Sequence, residues 1–286
     1  FYTIEIDNTN NVSLLTNVTV MNELILTNGN VQVQNQTLGI NGTISGTSKI
    51  EVTPYSSLSF GGTLGQTIPD NVFSDTPIIS NLTISNASGV IPGNQPFTIE
   101  GTLALDEGEF TLDSKTLTIE GSLTRNTGTI GMNSSTQLYF SENTNALTIP
   151  NSAFADTEIG ILSIDRSGGV ILGNQTFTIA DKLLLTNGIL TTGSNIIRFP
   201  AGSQAGYDVD EFGNILEINH LFPEIVSSHI QGCATKVGAE PFVFPIGSAQ
   251  KYAPIAISDA PGGDVVTEFT ACYYPESPNS LYNNKY

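Results

Sequence analysis

Two glutamates, Glu100 and Glu120, directly follow the apolar triplets Phe97-Thr98-Ile99 and Leu117-Thr118-Ile119 and lie twenty residues apart. If twenty residues make one turn of a stacked chain, the two carboxylates sit on adjacent turns, where they could reach the separation that a retaining glycosidase uses for its acid and its nucleophile. Asp106, Glu107 and Glu109 fall in the same two-turn stretch, so the five carboxylates are weak candidate oxygen ligands for Ca²⁺. The matching positions elsewhere in the chain, Met21, Asn41 and Ala180, carry no acid. A solvated acidic corner explains the glutamates without catalysis, and no residue is assigned a catalytic role.

Other reactive residues are sparse. The run Asp208 to Asn214 resembles an Asp-rich calcium loop with Gly213 at its turn, but Phe212 stands where an oxygen ligand belongs. A plain turn is the better reading. His220 and His229 have no nucleophile motif beside them, and Gly-x-Ser-x-Gly is absent. Cys233 and Cys272 are the two cysteines, too few for a zinc site of their own. In an oxidising compartment they could form one disulfide, provided their Cα atoms come within reach. Thr19, Thr98, Thr118 and Thr178, central in apolar triplets, suggest an ice-binding ladder, but Gly39, Tyr139 and Arg198 interrupt it. The β-propensity of Thr accounts for the column.

The composition narrows what could position such groups. Over 286 residues, 27 acidic against 9 basic side chains give a net charge of −18. That charge repels a phosphate backbone or an anionic membrane, so nucleic acid is not an expected partner. Charged residues make up only 13%, and the 28 glycines with abundant Asn, Thr and Ser suit turns and short strands. No apolar run is long enough for a membrane span, and no basic-then-apolar leader is visible. The chain, starting at Phe1 and stopping in a polar stretch at Tyr286, reads as a segment of a longer polypeptide.

Self-similarity is the strongest signal. The stretch from Leu82 to Ile99 returns from Leu162 to Ile179, an offset of 80 residues. Leu103, Leu105 and Gly108 match Leu183, Leu185 and Gly188, and an earlier copy supplies Leu24, Leu26 and Gly29. The joints match as well, Ile68 to Thr76 with Ile149 to Thr157. Within each copy, alternating triplets such as Val18 to Val20, Leu38 to Ile40 and Leu58 to Phe60 recur at a step of 20 or 21 residues. Three short strands in each such step describe one coil of a three-sided parallel β-helix, with alternate residues facing a continuous core. A set of small antiparallel sandwiches, suggested by Asn-Gly pairs, gives no reason for the twenty-residue step. The expectation is therefore an all-β chain: a β-helix solenoid over residues 1–200, built from three repeats of about 80 residues with the third partial. It is followed over 201–286 by an antiparallel, β-sandwich-like domain, where candidate strands at Ile215 to Asn219, Glu224 to Ile230, Phe242 to Phe244, Tyr252 to Ile257 and Val265 to Tyr274 alternate with Gly and Pro turns.

The repeated Leu-x-Leu-x-x-Gly-x-Leu pattern, with Ile230 to Val237, Phe242-Val-Phe-Pro-Ile-Gly247 and Tyr252-Ala-Pro-Ile255, resembles large cell-surface proteins exported by the type IX secretion system of Bacteroidota, gliding-type adhesins among them. The resemblance implies an extracellular or cell-surface location and the type IX machinery as a partner, although no sorting domain is visible. The expected function is a non-enzymatic stalk that makes surface or glycan contacts, with no required cofactor beyond optional Ca²⁺. The alternative is a β-helix enzyme or binding module acting on polysaccharides.

Overall fold

A computed structural model describes residues 1–141, 143–206, 228–257 and 268–274. The sequence candidates from Asp208 to Asn214, His220, the strand expected at 215–219, and parts of those at 224–230 and 265–274 lie outside the described residues. Every regular element among the described residues is a β-strand, and no helix is present among them.

The strands stack as a solenoid of about ten coils, because each strand from Thr3–Asp7 to Gln204–Gly206 pairs in parallel with one a coil away. Face one begins with Thr3–Asp7, Glu23–Asn28 and Thr43–Gly46, paired as Leu24 with Ile4 and with Ile44. Face two begins with Val12–Ser13, Val31–Gln32 and Ile50–Glu51. Face three carries Val18–Val20, Thr37–Ile40 and Ser57–Gly62. Further along, long strands turn a corner and serve two faces. In Phe97–Glu107, Phe97 to Ile99 pair with Leu117 to Ile119 on face two, and Thr102 to Leu105 pair with Ser122 to Arg125 on face three. At about 4.8 Å per coil the stack is about 48 Å long.

Alternation dictates what each face buries, since successive side chains of a strand point to opposite sides. Leu103 and Leu105 are buried while Thr102 and Ala104 are partly exposed. The inward residues form one hydrophobic core running the length of the stack.

The sequence repeat and the coil are not commensurate. From Leu82 on face three the chain passes Val90, Ile99, Leu103, Phe110, Leu117, Leu123, Ile130, Leu138, Leu147 and Phe154 before reaching Leu162. Leu162 then lies on face two, paired with Leu138 and Leu183. One copy thus advances eleven faces, one short of four coils, and each successive copy is turned by one face. Leu24, Leu103 and Leu183, equivalent in sequence, occupy faces one, three and two. The same contacts recur on different faces. Phe73 meets Phe97 edge-on at 5.4 Å on face two, and their equivalents Phe154 and Phe177 meet at 5.2 Å on face one.

The joints are where the coil lengthens, and the following coil satisfies their backbone. The Asn94 side chain accepts the Asn71 N–H at 3.0 Å, and Gln95 accepts the Phe73 N–H at 2.9 Å. In the next copy Asn174 accepts the Ser152 N–H at 2.8 Å. These bonds explain why Gly-Asn-Gln is repeated with the joint. The glycine of Leu-x-Leu-x-x-Gly has an equally local reason. Gly29, Gly108 and Gly188 have φ of 69°, 75° and 86°, a left-handed conformation that glycine adopts readily.

Parallel pairing continues past residue 200: His229–Val237 lies against Ile189–Phe199, with Leu190 opposite Ile230 and Arg198 opposite Thr235. Antiparallel pairing begins here. Glu268–Cys272 runs antiparallel to His229–Val237, and Phe242–Phe244 pairs with Ile255–Ile257. Cys233 and Cys272 face each other in that ladder and form a disulfide across Cα atoms 4.3 Å apart. Arg198 forms an ion pair with Glu268 beside it.

Candidate functional site

The described carboxylates spread over the surface. Glu100 and Glu120 follow face-two strands on adjacent coils, at the corner leading into face three. Asp106 and Glu107 lie past Leu105, at the next corner. Glu109 belongs to face one and accepts the Thr111 hydroxyl at 2.7 Å. Among the described residues no three His, Cys, Asp or Glu side chains gather where a metal ion would bind. The threonines proposed as an ice-binding column fall on three different faces: Thr19 on face three, Thr98 and Thr118 on face two, Thr178 on face one. The rotation of each copy disperses them, so they form no single flat ladder.

Concavity occurs instead beside the Glu100 and Glu120 corner. Ser122–Arg125 and Leu147–Thr148 are successive rungs of face three, but among the described residues no ladder joins them. The break leaves an open groove of about 330 Å³. Its lining includes Thr102, Ser122, Asn143, Asn145, Thr148 and Arg166, with Gly101 and Gly121 at the corner and no aromatic ring among the described residues. Gly121 permits the tight corner, because a Cβ there would lie 1.6 Å from the Gly101 carbonyl oxygen.

Among the described residues Arg166 is the one cation lining the groove, and only 3% of it is exposed. Its Nε donates to the Asn145 carbonyl at 2.7 Å, one terminal nitrogen to Glu120 O at 2.6 Å, and the other to Gly121 O at 3.0 Å. Burial lowers its pKa, but a guanidinium stays charged at neutral pH. Sequence reasoning did not single out Arg166. The available signal was its place in the repeat, since it stands where the preceding copy has Asn86.

A second buried cation closes the far end. Lys236 is 0% exposed, donates to Pro200 O at 2.5 Å, pairs with Glu240 at 2.7 Å and lies 5.2 Å from the centre of the Phe242 ring. The bond from Lys236, followed by the Gly202 N–H, holds the Glu240 carboxyl down to about 2. His229, buried at the start of the same strand, bonds Ser248 O at 2.6 Å, and burial lowers its pKa. Both folded pKa values lie below those of the unfolded chain, so both groups stabilise most at high pH. The His229 contribution declines as pH falls below about 6.5, and that of Glu240 as pH falls from about 4.5 to about 2. Acidification from pH 7 to pH 2 is expected to strip amide-exchange protection from His229–Val237 before Phe97–Glu107; simultaneous loss in both would contradict this.

The fold defines the chain as a parallel β-solenoid protein. Compared with known protein families, curated proteins and solved structures, it matches none. No helix among the described residues is long and apolar enough to cross a membrane.

Proposed function

We propose that this chain is a non-enzymatic structural and adhesive segment of a large extracellular or cell-surface protein, a rigid acidic stalk that holds binding surfaces away from their anchor. The observation that carries this reading is the eleven-face repeat joined to an unbroken core. Each copy displays its surface in a direction turned by one face from the last, so the rod presents equivalent features all around its axis. An enzyme needs one cleft, whereas a spacer that meets surfaces at unknown angles gains from such distribution. The net charge of −18 favours solubility and opposes collapse of neighbouring rods. The expected antiparallel, sandwich-like unit over residues 201–286 fits as the terminal module, supported by the antiparallel pairs and by the disulfide. Export through a type IX machinery rests on the sequence resemblance, and glycans are the surface ligands we favour.

The runner-up, a polysaccharide-acting β-helix enzyme, draws on the groove beside Glu100 and Glu120. The two readings separate on Glu100→Gln/Glu120→Gln. A stalk spreads adhesion over many weak contacts, so the double variant is expected to bind cells as the wild type does, and neither protein to cleave polysaccharide at acidic or alkaline pH, with or without Ca²⁺. A hydrolase using the pair loses several orders of magnitude in rate, because protonation and the covalent step both vanish. Wild-type cleavage that disappears in the double variant overturns the stalk.

A further inference from the structure

The internal repeat supplies a control for the groove. The matching rungs one copy earlier are Thr43–Gly46 and Gln66–Thr67 on face one, and there too no ladder joins them among the described residues. Gln66 corresponds to Leu147, since Gln66 pairs with Val90 as Leu147 pairs with Val170. Asn86 corresponds to Arg166, and Gly42 to Gly121. In the earlier copy two buried amides fill the break. Gln66 Nε2 donates to Ile40 O at 2.8 Å and Gly42 O at 2.7 Å, while Asn86 Nδ2 donates to Gln66 Oε1 at 2.9 Å and to Leu64 O at 2.8 Å. In the later copy the Gln66 amide is gone, Leu147 turns into the core, and the neutral Asn86 amide is replaced by a guanidinium. The Arg166 bonds to Asn145 O and Gly121 O match those from Asn86 to Leu64 O and from Gln66 to Gly42 O, so a single charged donor stands in the later break where two neutral amides stand in the earlier one, and the open groove lies beside it.

We infer that this charged break and its groove are a binding site for a carboxylated sugar such as a hexuronate, with Arg166 as its anchor. A guanidinium has five N–H donors; three of them meet backbone carbonyls here, leaving one on each terminal nitrogen for a carboxylate in bidentate geometry. Thr102, Ser122, Asn143, Asn145 and Thr148 supply hydroxyl and amide groups for the ring hydroxyls, and the volume suits one sugar unit. Glu100 and Glu120 do not line the groove. Their charge at the same corner disfavours polyanions such as nucleic acid and leaves a single buried cation to select one carboxylate. The inference deepens the glycan-contact part of the proposed function and rests on it.

The test titrates the whole chain with sodium glucuronate and with glucose, followed by calorimetry and by NMR shifts of Gly121 and Arg166. Glucuronate is expected to bind at least about tenfold more tightly than glucose, because charge-assisted bonds exceed neutral ones. Arg166→Asn, which restores the residue of the earlier copy, should weaken glucuronate at least about tenfold and remove its preference over glucose. Leu147→Gln/Arg166→Asn rebuilds the two amides of the earlier copy, which occupy the break and carry no charge, and should abolish both, and thermal melting establishes that each variant is folded. Should Arg166→Asn not fold, Ser122→Leu, which crowds the groove at an exposed position, is expected to block both sugars. Equal affinity for the two sugars, undiminished binding in a folded variant, or no binding to the wild type overturns the site. Cell adhesion assayed in parallel keeps the larger reading separate: adhesion that persists when the groove fails leaves the stalk standing, and adhesion absent from every protein removes it.

Discussion

Phe177→Asp is expected to unfold the coils around it, whereas Thr178→Asp, one residue away, should shift the denaturation midpoint only slightly. Phe177 is 0% exposed and packs edge-on against Phe154. Losing a buried Phe costs about 3–5 kcal/mol. A carboxylate left without a partner in that space adds a further cost on the order of several kcal/mol, or takes up a proton to avoid it. The total rivals the whole stability of an ordinary domain, about 5–15 kcal/mol. Thr178 points outward and lies between Glu158 and Arg198 on adjacent rungs. Repulsion from one neighbour is offset by attraction to the other, so a change of about 0.5 kcal/mol is expected. Urea titration of both variants, followed by circular dichroism, checks the facing of the strand. Similar losses in both would show that it is wrong.

The second large effect concerns the glycine that marks each copy. In Gly108→Ala two penalties act together. The left-handed φ of 75° costs an alanine about 1–2 kcal/mol. The new Cβ would also stand 1.7 Å from the Asn86 carbonyl oxygen, so the backbone of one coil must move. Forcing extra volume into such a fit costs about 1–3 kcal/mol more. Gly193 isolates the first penalty: its φ is 62°, but a Cβ there meets nothing within 4 Å. Gly193→Ala should therefore lose only the conformational share, and Gly108→Ala roughly twice as much. Equal losses would mean that the corner yields without resisting.

Some of this was available from the residues alone because it is local. Alternation in Phe97-Thr98-Ile99 sets which side chains are buried, whichever strand lies alongside. The glycines of Leu-x-Leu-x-x-Gly answer to a turn made within a few residues, and the twenty-residue step announces stacked coils. The sequence by itself therefore determined an all-β stack and its inward residues.

Which face each copy occupies was decided only by the tertiary structure. The triplets at Val18, Phe97 and Phe177 look like one column in the sequence, yet they lie on faces three, two and one. The lengthened coils at the joints shift the count, and pairing partners many residues away fix the result. The groove is non-local for the same reason. Arg166 meets Glu120 and Gly121, more than forty residues earlier, only because two coils intervene and one ladder is broken. Cys233 and Cys272 likewise meet through the antiparallel register of a returning strand. Side-chain alternation is a property of a strand, whereas register, ladder gaps and the rotation of the repeat are properties of its neighbours, and a linear sequence does not say which neighbours those are.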